Sequence, residues 1–169
     1  TLTKLKASNP EVIFIPAYYE EVGKIVKQAR ELGINAKLLG ADGWDDSKLV
    51  DIAGAQPLND TYFCSHYSEQ DNDANVKDFI AAYKAEYGEE PNVFAALGYD
   101  AGKMLVDAIK RAGSDDPEKI RQALAETKNL QVGTGIITMD ANHDPIKSAV
   151  VLEMKDGQKI FKQKINPNK

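Results

Sequence analysis

Residues 12–44 combine a short apolar segment, an amphipathic helix and a second short apolar segment. The first segment, VIFI at 12–15, predicts a strand, and because it is apolar throughout, it predicts a strand covered on both faces of a parallel sheet. The middle segment repeats apolar residues at helical spacing, and Gly33 stands where a helix commonly ends in the left-handed conformation. A second strand is predicted over 37–39. This strand–helix–strand order predicts an α/β fold with a parallel sheet.

Two loops of this unit carry candidate site residues. Tyr18 follows the first strand, and Asp42 and Trp44 follow the second. The carboxyl ends of parallel strands lie at one edge of a sheet, where ligands of α/β proteins bind. The sequence therefore predicts that aromatic side chains and a carboxylate meet at this edge.

Composition narrows the class of partner. The chain has 169 residues, 43% of them hydrophobic and 28% charged, which is typical of an ordinary globular protein with a core. The net charge of -5 argues against nucleic acid, which requires a basic patch. His66 and His143 lack the spacing of metal ligands, so no metal site is predicted. The lone Cys64 lies in a predicted strand and is interpreted as a small buried residue.

The rest of the chain changes character twice. A third parallel strand is predicted over 61–65, and the polar sequence HYSEQDNDAN that follows is interpreted as a crossing segment. Three amphipathic helices come next. The first is predicted to end at Gly88 and the second at Gly113, and the third is predicted to begin at Asp116. Three helices without a sheet predict a sheet outside this chain that they cover. Short strands are predicted again after residue 131.

Four sequence runs carry a resemblance. They are AYYEEVGKIVKQARELGI, LLGADGWDDSKLVDIAG, FAALGYDAGKMLVDAIKRAGSDDPEKIRQAL and GTGIITMDANHDPIKSAVVLEMKDG. Together they resemble the C-terminal half of the substrate-binding proteins of branched-chain amino acid ABC transporters, which have the type I periplasmic-binding-protein fold. The resemblance implies an incomplete two-lobe fold with Rossmann-like parallel sheets. It assigns residues 1–66 to the second lobe, 67–130 to helices of the first lobe, and 131–169 to strands returning to the second lobe.

The resemblance also implies a function and site residues. Asp42 matches the acidic residue that pairs with the α-ammonium of an amino acid, Tyr18 matches a tyrosine of the same lobe, and Phe94 matches an aromatic residue of the side-chain pocket from the first lobe. Trp44 is a further candidate by proximity alone. Each residue also has a purely structural interpretation without ligand contact. Asp42 is then a loop carboxylate hydrogen-bonded to its own backbone, Tyr18 an aromatic residue at the rim of the sheet, and Phe94 a core residue.

The implied protein captures leucine, isoleucine or valine between two lobes and presents it to an ABC transporter permease. The implied location is periplasmic or extracellular, with a cell-surface lipoprotein as one form. No cofactor is implied. The chain begins on an apparent helix end, so an N-terminal portion is expected upstream, and without that portion the chain is expected to bind weakly and to self-associate.

Other functions remain open. The sequence contains no G-x-S-x-G, Walker A or H-E-x-x-H motif, so it is not predicted to be an enzyme. Within the same fold, a ligand-sensing regulator or a binder of amides, urea or aromatic acids is the nearest alternative. The acidic residues Asp42, Asp45 and Asp46 also allow a flavodoxin-like enzyme or receiver, which is the less favoured interpretation. A DNA-binding regulator would require a helix-turn-helix upstream of Thr1.

Overall fold

A computed structural model describes residues 1–167 and divides the chain into two compact units. Unit 1 comprises Thr1–Gln70 and Val150–Lys164, and unit 2 comprises Asp71–Ala149 and the residues from Ile165. In chain order the elements are α1 (Leu2–Ser8), β1 (Val12–Ile15), α2 (Tyr19–Glu31), β2 (Lys37–Gly40), α3 (Lys48–Ala53), β3 (Thr61–Ser65), α4 (Ala74–Tyr87), α5 (Val93–Ala112), α6 (Pro117–Ala125), β4 (Leu130–Val132), β5 (Gly135–Met139), β6 (Pro145–Ile146), β7 (Ala149–Lys155) and β8 (Gln158–Ile165).

Unit 1 is built on a five-stranded sheet in the order β1-β2-β3-β7-β8. The first three strands are parallel, and β3 pairs with β7 in antiparallel register. The predicted α/β fold with a parallel sheet is therefore confirmed. Gly33 has a φ of 75°, so it adopts the left-handed conformation predicted for the end of α2.

One face of this sheet forms the core of unit 1. Strand register places alternate residues of each strand on the same face, and these side chains pack against α2 and α3. The buried members from the strands are Ile15, Leu38, Phe63, Val150, Leu152 and Met154. The same cluster contains Val22 and Val26 of α2, Leu49 and Ala53 of α3, and the loop residues Trp44 and Leu58.

The opposite face of the sheet is open among the described residues. Val12 is 49% exposed and Phe14 is 62% exposed. The prediction that the VIFI strand is covered on both faces is therefore wrong for this chain. The physical reason is that β1 is the edge strand and that the core of unit 1 lies on the face that carries Ile15.

Unit 2 contains helices α4 to α6 and a three-stranded sheet, β4-β5-β6. Strands β4 to β6 pair with one another, and the residues from Val150 to Lys164 belong to unit 1. That residues 131–169 return to the second lobe stays a prediction. The buried carboxylate of Asp100 on α5 accepts hydrogen bonds from the backbone N–H groups of Gly133 (2.7 Å) and Thr134 (3.3 Å). This contact fastens the turn between β4 and β5 to the middle of α5.

The helix ends of unit 2 follow the predicted capping residues. Gly88 and Gly113 adopt the left-handed conformation, and the Asp116 side chain accepts from the N–H groups of Glu118 and Lys119. Leu105 and Ile109, two apolar residues of the predicted amphipathic helix α5, are 45% and 40% exposed. That these helices cover a sheet outside this chain stays a prediction.

Candidate functional site

Three side chains follow the carboxyl ends of the three parallel strands. Tyr18 lies just beyond β1, Asp42 just beyond β2, and His66 directly after β3. Because the strands are parallel and adjacent, these residues share one edge of the sheet, which is where the fold class places ligand sites. This edge of unit 1 is called the strand-end site below.

Asp42 presents its carboxylate at this site. It opens a short 3₁₀ turn over Asp42–Trp44, and its side chain is about half exposed, at 47%. Its Oδ2 lies 3.1 Å from Nε2 of His66. The carboxylate is thus held from one side by an imidazole while much of its surface faces solvent, an arrangement that suits a cationic ligand.

Tyr18 lies directly against the turn that carries Asp42. It occupies the N-cap position of α2, its carbonyl accepts from Val22 N–H at 3.0 Å, and its side chain is exposed. A Cβ added to Gly43 would stand 3.0 Å from Cδ1 of Tyr18 and 3.1 Å from the Ala17 carbonyl oxygen. Glycine at position 43 therefore permits the close approach of the two loops. The structure brings Tyr18 and Asp42 together, and their contact with a ligand stays a prediction.

Trp44 is not a wall of the site. Its side chain is fully buried, and its indole N–H donates to the carbonyl of Ile15 at 3.0 Å. Its ring also packs beside Phe63, with 6.1 Å between ring centroids, and covers Gly40, where a Cβ would clash at 2.2 Å. The prediction that Trp44 lines the cleft is wrong, because a large apolar side chain next to a glycine is drawn into the core. Trp44 instead anchors the Asp42 turn to the end of β1.

Asp45 fastens the other end of the same turn. It is buried, it accepts a short hydrogen bond from the Ser65 hydroxyl, and it pairs with the ammonium of Lys159 at 3.0 Å. Glu69 approaches the same ammonium at 3.1 Å. Burial lowers the pKa of Lys159, but the charges and hydrogen bonds of Asp45 and Glu69 outweigh it, so the pKa lies above 10.5.

The acidic residues of this turn do not form a magnesium or phosphoacceptor pocket. Asp45 is committed to Ser65 and Lys159, and Asp46 accepts from the N–H of Lys48 at the start of α3. Across residues 1–167, no group of three or more His, Cys, Asp or Glu side chains is arranged to hold a metal ion. The three carboxylates therefore serve different purposes, which disfavours the flavodoxin-like interpretation.

Cys64 is exposed, so its interpretation as a buried residue is wrong. Strand β3 places Phe63 and Ser65 on the core face and Cys64 on the open face. Neighbouring atoms nevertheless desolvate the sulfur, and this burial, followed by the negative charge of Asp42, raises the pKa of the Cys64 thiol. The pKa of this thiol therefore depends in part on the charge of Asp42 at the strand-end site.

Phe94 belongs to unit 2, where it lies in the first turn of α5. It is 37% exposed, so it is not a fully buried core residue. Its predicted role in a side-chain pocket stays a prediction. The residue that the sequence reasoning missed is His66, although the available signal was the same one that selected Tyr18 and Asp42, namely its position just beyond a parallel strand.

The helices described by the structure are all too short or too polar to cross a membrane.

Comparison with known proteins gives consistent matches. The sequence model of a family described as periplasmic binding protein matches residues 1–159. A leucine-, isoleucine-, valine-, threonine- and alanine-binding protein of Pseudomonas aeruginosa is 28% identical over 143 residues, which is 85% of this chain and 38% of that protein. The present chain thus spans well under half the length of that relative.

Two solved structures share both fold and sequence with the chain. A leucine-binding protein from Thermotoga maritima has a TM-score of 0.90 and 41% identity, and the match covers 98% of this chain and 47% of that one. A branched-chain amino acid transporter substrate-binding protein from Streptococcus pneumoniae, solved in complex with isoleucine, has a TM-score of 0.86 and 37% identity over the same shares of the two chains. The match therefore extends over nearly all of the present chain.

Proposed function

Because the chain belongs to the periplasmic binding protein family, we propose that it forms part of the solute-binding component of an ABC transporter, and that this component binds a branched-chain amino acid. The observation that carries the proposal is the half-exposed carboxylate of Asp42 beside the exposed ring of Tyr18 at the strand-end site. The names of the similar proteins state leucine, isoleucine or valine among their ligands, with threonine and alanine added for the Pseudomonas protein, and this supports the same ligand class.

The chemistry of an amino acid fits these side chains. Its α-ammonium requires an anionic partner when it is removed from water, and Asp42 supplies one. A hydrogen bond to a charged group contributes about 1.5–3 kcal/mol net. The ring of Tyr18 offers apolar surface and a hydroxyl beside that carboxylate. Phe94 of unit 2 is proposed to contact the aliphatic side chain of the ligand.

The proposal extends to location and partners. A binding protein of this kind operates outside the cytoplasmic membrane, in a periplasm or at the cell surface with or without a lipid anchor, and delivers its ligand to a permease without chemical conversion. The 169-residue chain by itself is proposed to self-associate through the open face of the unit 1 sheet, since that face exposes Val12 and Phe14 beside an unpaired strand edge.

Calorimetric titration of the full-length natural protein with leucine, isoleucine and valine tests the ligand class. We expect saturable binding that Asp42→Asn weakens about 10-fold to 100-fold, because the neutral amide loses the charge-assisted bond. Asp51→Asn, which alters an exposed carboxylate on α3, is the matched control and should leave the affinity unchanged. Absence of binding by all three amino acids would overturn the ligand class. Leucine binding that is indifferent to Asp42→Asn would show that the α-ammonium pairs with another group and would overturn the proposed role of Asp42. Saturable binding of an amide, urea or an aromatic acid in place of the three amino acids would favour that alternative ligand class.

A further inference from the structure

His66 contacts the carboxylate of Asp42. It follows β3 directly, its side chain is 30% exposed, and Nε2 lies 3.1 Å from Oδ2 of Asp42. Asp42 lies 24 positions earlier in the sequence, so the contact depends on the parallel pairing of β2 with β3. The two residues are neighbours because their strands end side by side.

The backbone around His66 is fixed on both sides. On one side, Ser65 pairs with Val150 of β7, and its hydroxyl donates to the buried Asp45. On the other side, Tyr67 and Ser68 are buried. The imidazole therefore extends from a segment whose neighbouring residues are paired or buried.

Gln70 extends this fixation to β8. Its side-chain amide donates to the carbonyl of Lys159 at 3.0 Å, and its carbonyl oxygen accepts from the N–H of Phe161 at 3.0 Å. The Gln70 amide thus bonds the backbone of β8 as a neighbouring strand would. The segment that leaves unit 1 is held in place immediately after His66.

The chemistry of the pair suits a carboxylate that must receive a cation. A neutral imidazole with its proton on Nε2 donates one hydrogen bond to Oδ2 and leaves the negative charge of Asp42 intact. A carboxylate has two oxygens, so fixing one of them sets the direction of the other. The nearby ammonium of Lys159 does not replace this contact, since it pairs with Asp45 and Glu69.

We propose that His66 is a positioning residue for ligand binding: it orients the Asp42 carboxylate toward the α-ammonium of the amino acid. The inference rests on the proposed function, because it assigns to His66 a role that acts through Asp42. His66 then raises affinity for amine-bearing ligands by fixing the carboxylate before the ligand arrives.

A double-mutant cycle in the full-length natural protein tests this role. Leucine affinity is measured by calorimetry for the wild type, His66→Ala, Asp42→Asn and the double variant. We expect His66→Ala to weaken leucine binding about fivefold to tenfold in the wild-type background and less than twofold in the Asp42→Asn background. His66→Gln, whose amide nitrogen can take the place of Nε2, should restore most of the affinity. His143→Ala is the matched control, since His143 lies in an exposed turn of unit 2, and it should change nothing.

Two outcomes would overturn the role of His66. One is an equal loss in both backgrounds without rescue by glutamine, which would indicate general structural damage. The other is unchanged affinity in His66→Ala.

A ligand-free measurement separates this inference from the proposed function. Nitrogen-15 NMR of the imidazole reports which ring nitrogen carries the proton, and we expect the Nε2–H form in the wild type and a changed tautomer ratio in Asp42→Asn. If leucine fails to bind while the tautomer still depends on Asp42, the proposed function fails and the contact stands. Leucine binding can also depend on Asp42 while the tautomer is unchanged in Asp42→Asn and the affinity is unchanged in His66→Ala. In that case only the role of His66 fails.

Discussion

The two faces of the unit 1 sheet differ in burial although both carry phenylalanine side chains. Phe63 on the core face is 2% exposed and packs beside the Trp44 ring, whereas Phe14 on the other face is 62% exposed. The core face also carries the contacts that hold the Asp42 turn, through Trp44 and Asp45. The comparison teaches that one face provides the stability of the unit and the geometry of the site, while the other leaves apolar side chains exposed.

The largest expected effect comes from truncating the phenylalanine of each face in turn. Phe63→Ala should lower the free energy of unfolding by about 3–5 kcal/mol, because it removes a buried ring and leaves a cavity. Phe14→Ala should lower it by less than about 1 kcal/mol, since the ring is mostly solvated. Urea denaturation of the 169-residue chain measures both. Equal losses would show that the open face is as important to stability as the core face.

Removal of the buried carboxylate should have the next largest effect. Asp45→Ala deprives Lys159 of its closer carboxylate and should lower the free energy of unfolding by about 2 kcal/mol, less than for a fully buried pair because the lysine side chain is 31% exposed and Glu69 remains. Thermal denaturation at neutral pH measures this loss. Asp51→Ala on the surface of α3 is the control.

The same ion pair predicts a pH dependence. The pKa of Lys159 is raised in the folded state, so the stabilisation is fully present below the ordinary value of 10.5 and is lost as the pH rises through the higher folded value. Unfolding measured between pH 9 and pH 12 should show this alkaline loss in the wild type and a smaller one in Asp45→Ala. Identical alkaline profiles in the two proteins would contradict the assignment.

Self-association should respond to the open face. Phe14→Asp should shift the 169-residue chain toward monomer, with a dissociation constant raised about tenfold, because a charge in an apolar contact is costly. Tyr87→Asp alters an equally exposed aromatic residue of unit 2 and is the control. Light scattering across a concentration series measures both variants. A wild-type chain that is monomeric at every concentration would contradict the proposed self-association.

The smallest effect should appear at Cys64. Burial of the sulfur and the charge of Asp42 raise the pKa of the thiol, so Asp42→Asn should lower the pKa and increase the thiolate fraction. Alkylation by iodoacetamide at pH 8 should then be moderately faster than in the wild type. Asp51→Asn should leave the rate unchanged, and an unchanged rate in Asp42→Asn would show that the two groups do not interact.

Local patterns predicted the strands and the helix at the start of unit 1 and the positions of Tyr18 and Asp42 beyond adjacent strands. The spacing of α2, the glycine that ends it and the positions of Tyr18 and Asp42 beyond adjacent strands were all visible in the sequence. These features depend on periodicity and turn chemistry, which are local. The resemblance to periplasmic binding proteins is confirmed at the level of the family.

The errors concern features that depend on tertiary packing. A run such as VIFI has no alternation that reveals which face is covered, and the side on which Cys64 lies depends on where the strand begins. The burial of Trp44 required knowledge that Gly40 leaves room for its ring. The contact between His66 and Asp42 depends on the pairing of β3 beside β2, and the periodicity of the sequence does not specify which strands are neighbours.

A crystal structure of the full-length natural protein with bound leucine tests the central claim most directly. The account predicts the α-ammonium within about 3 Å of the Asp42 carboxylate. It also predicts the Tyr18 side chain in contact with the same ligand. Leucine with its ammonium paired to another group, while Asp42 faces bulk water, would contradict the account.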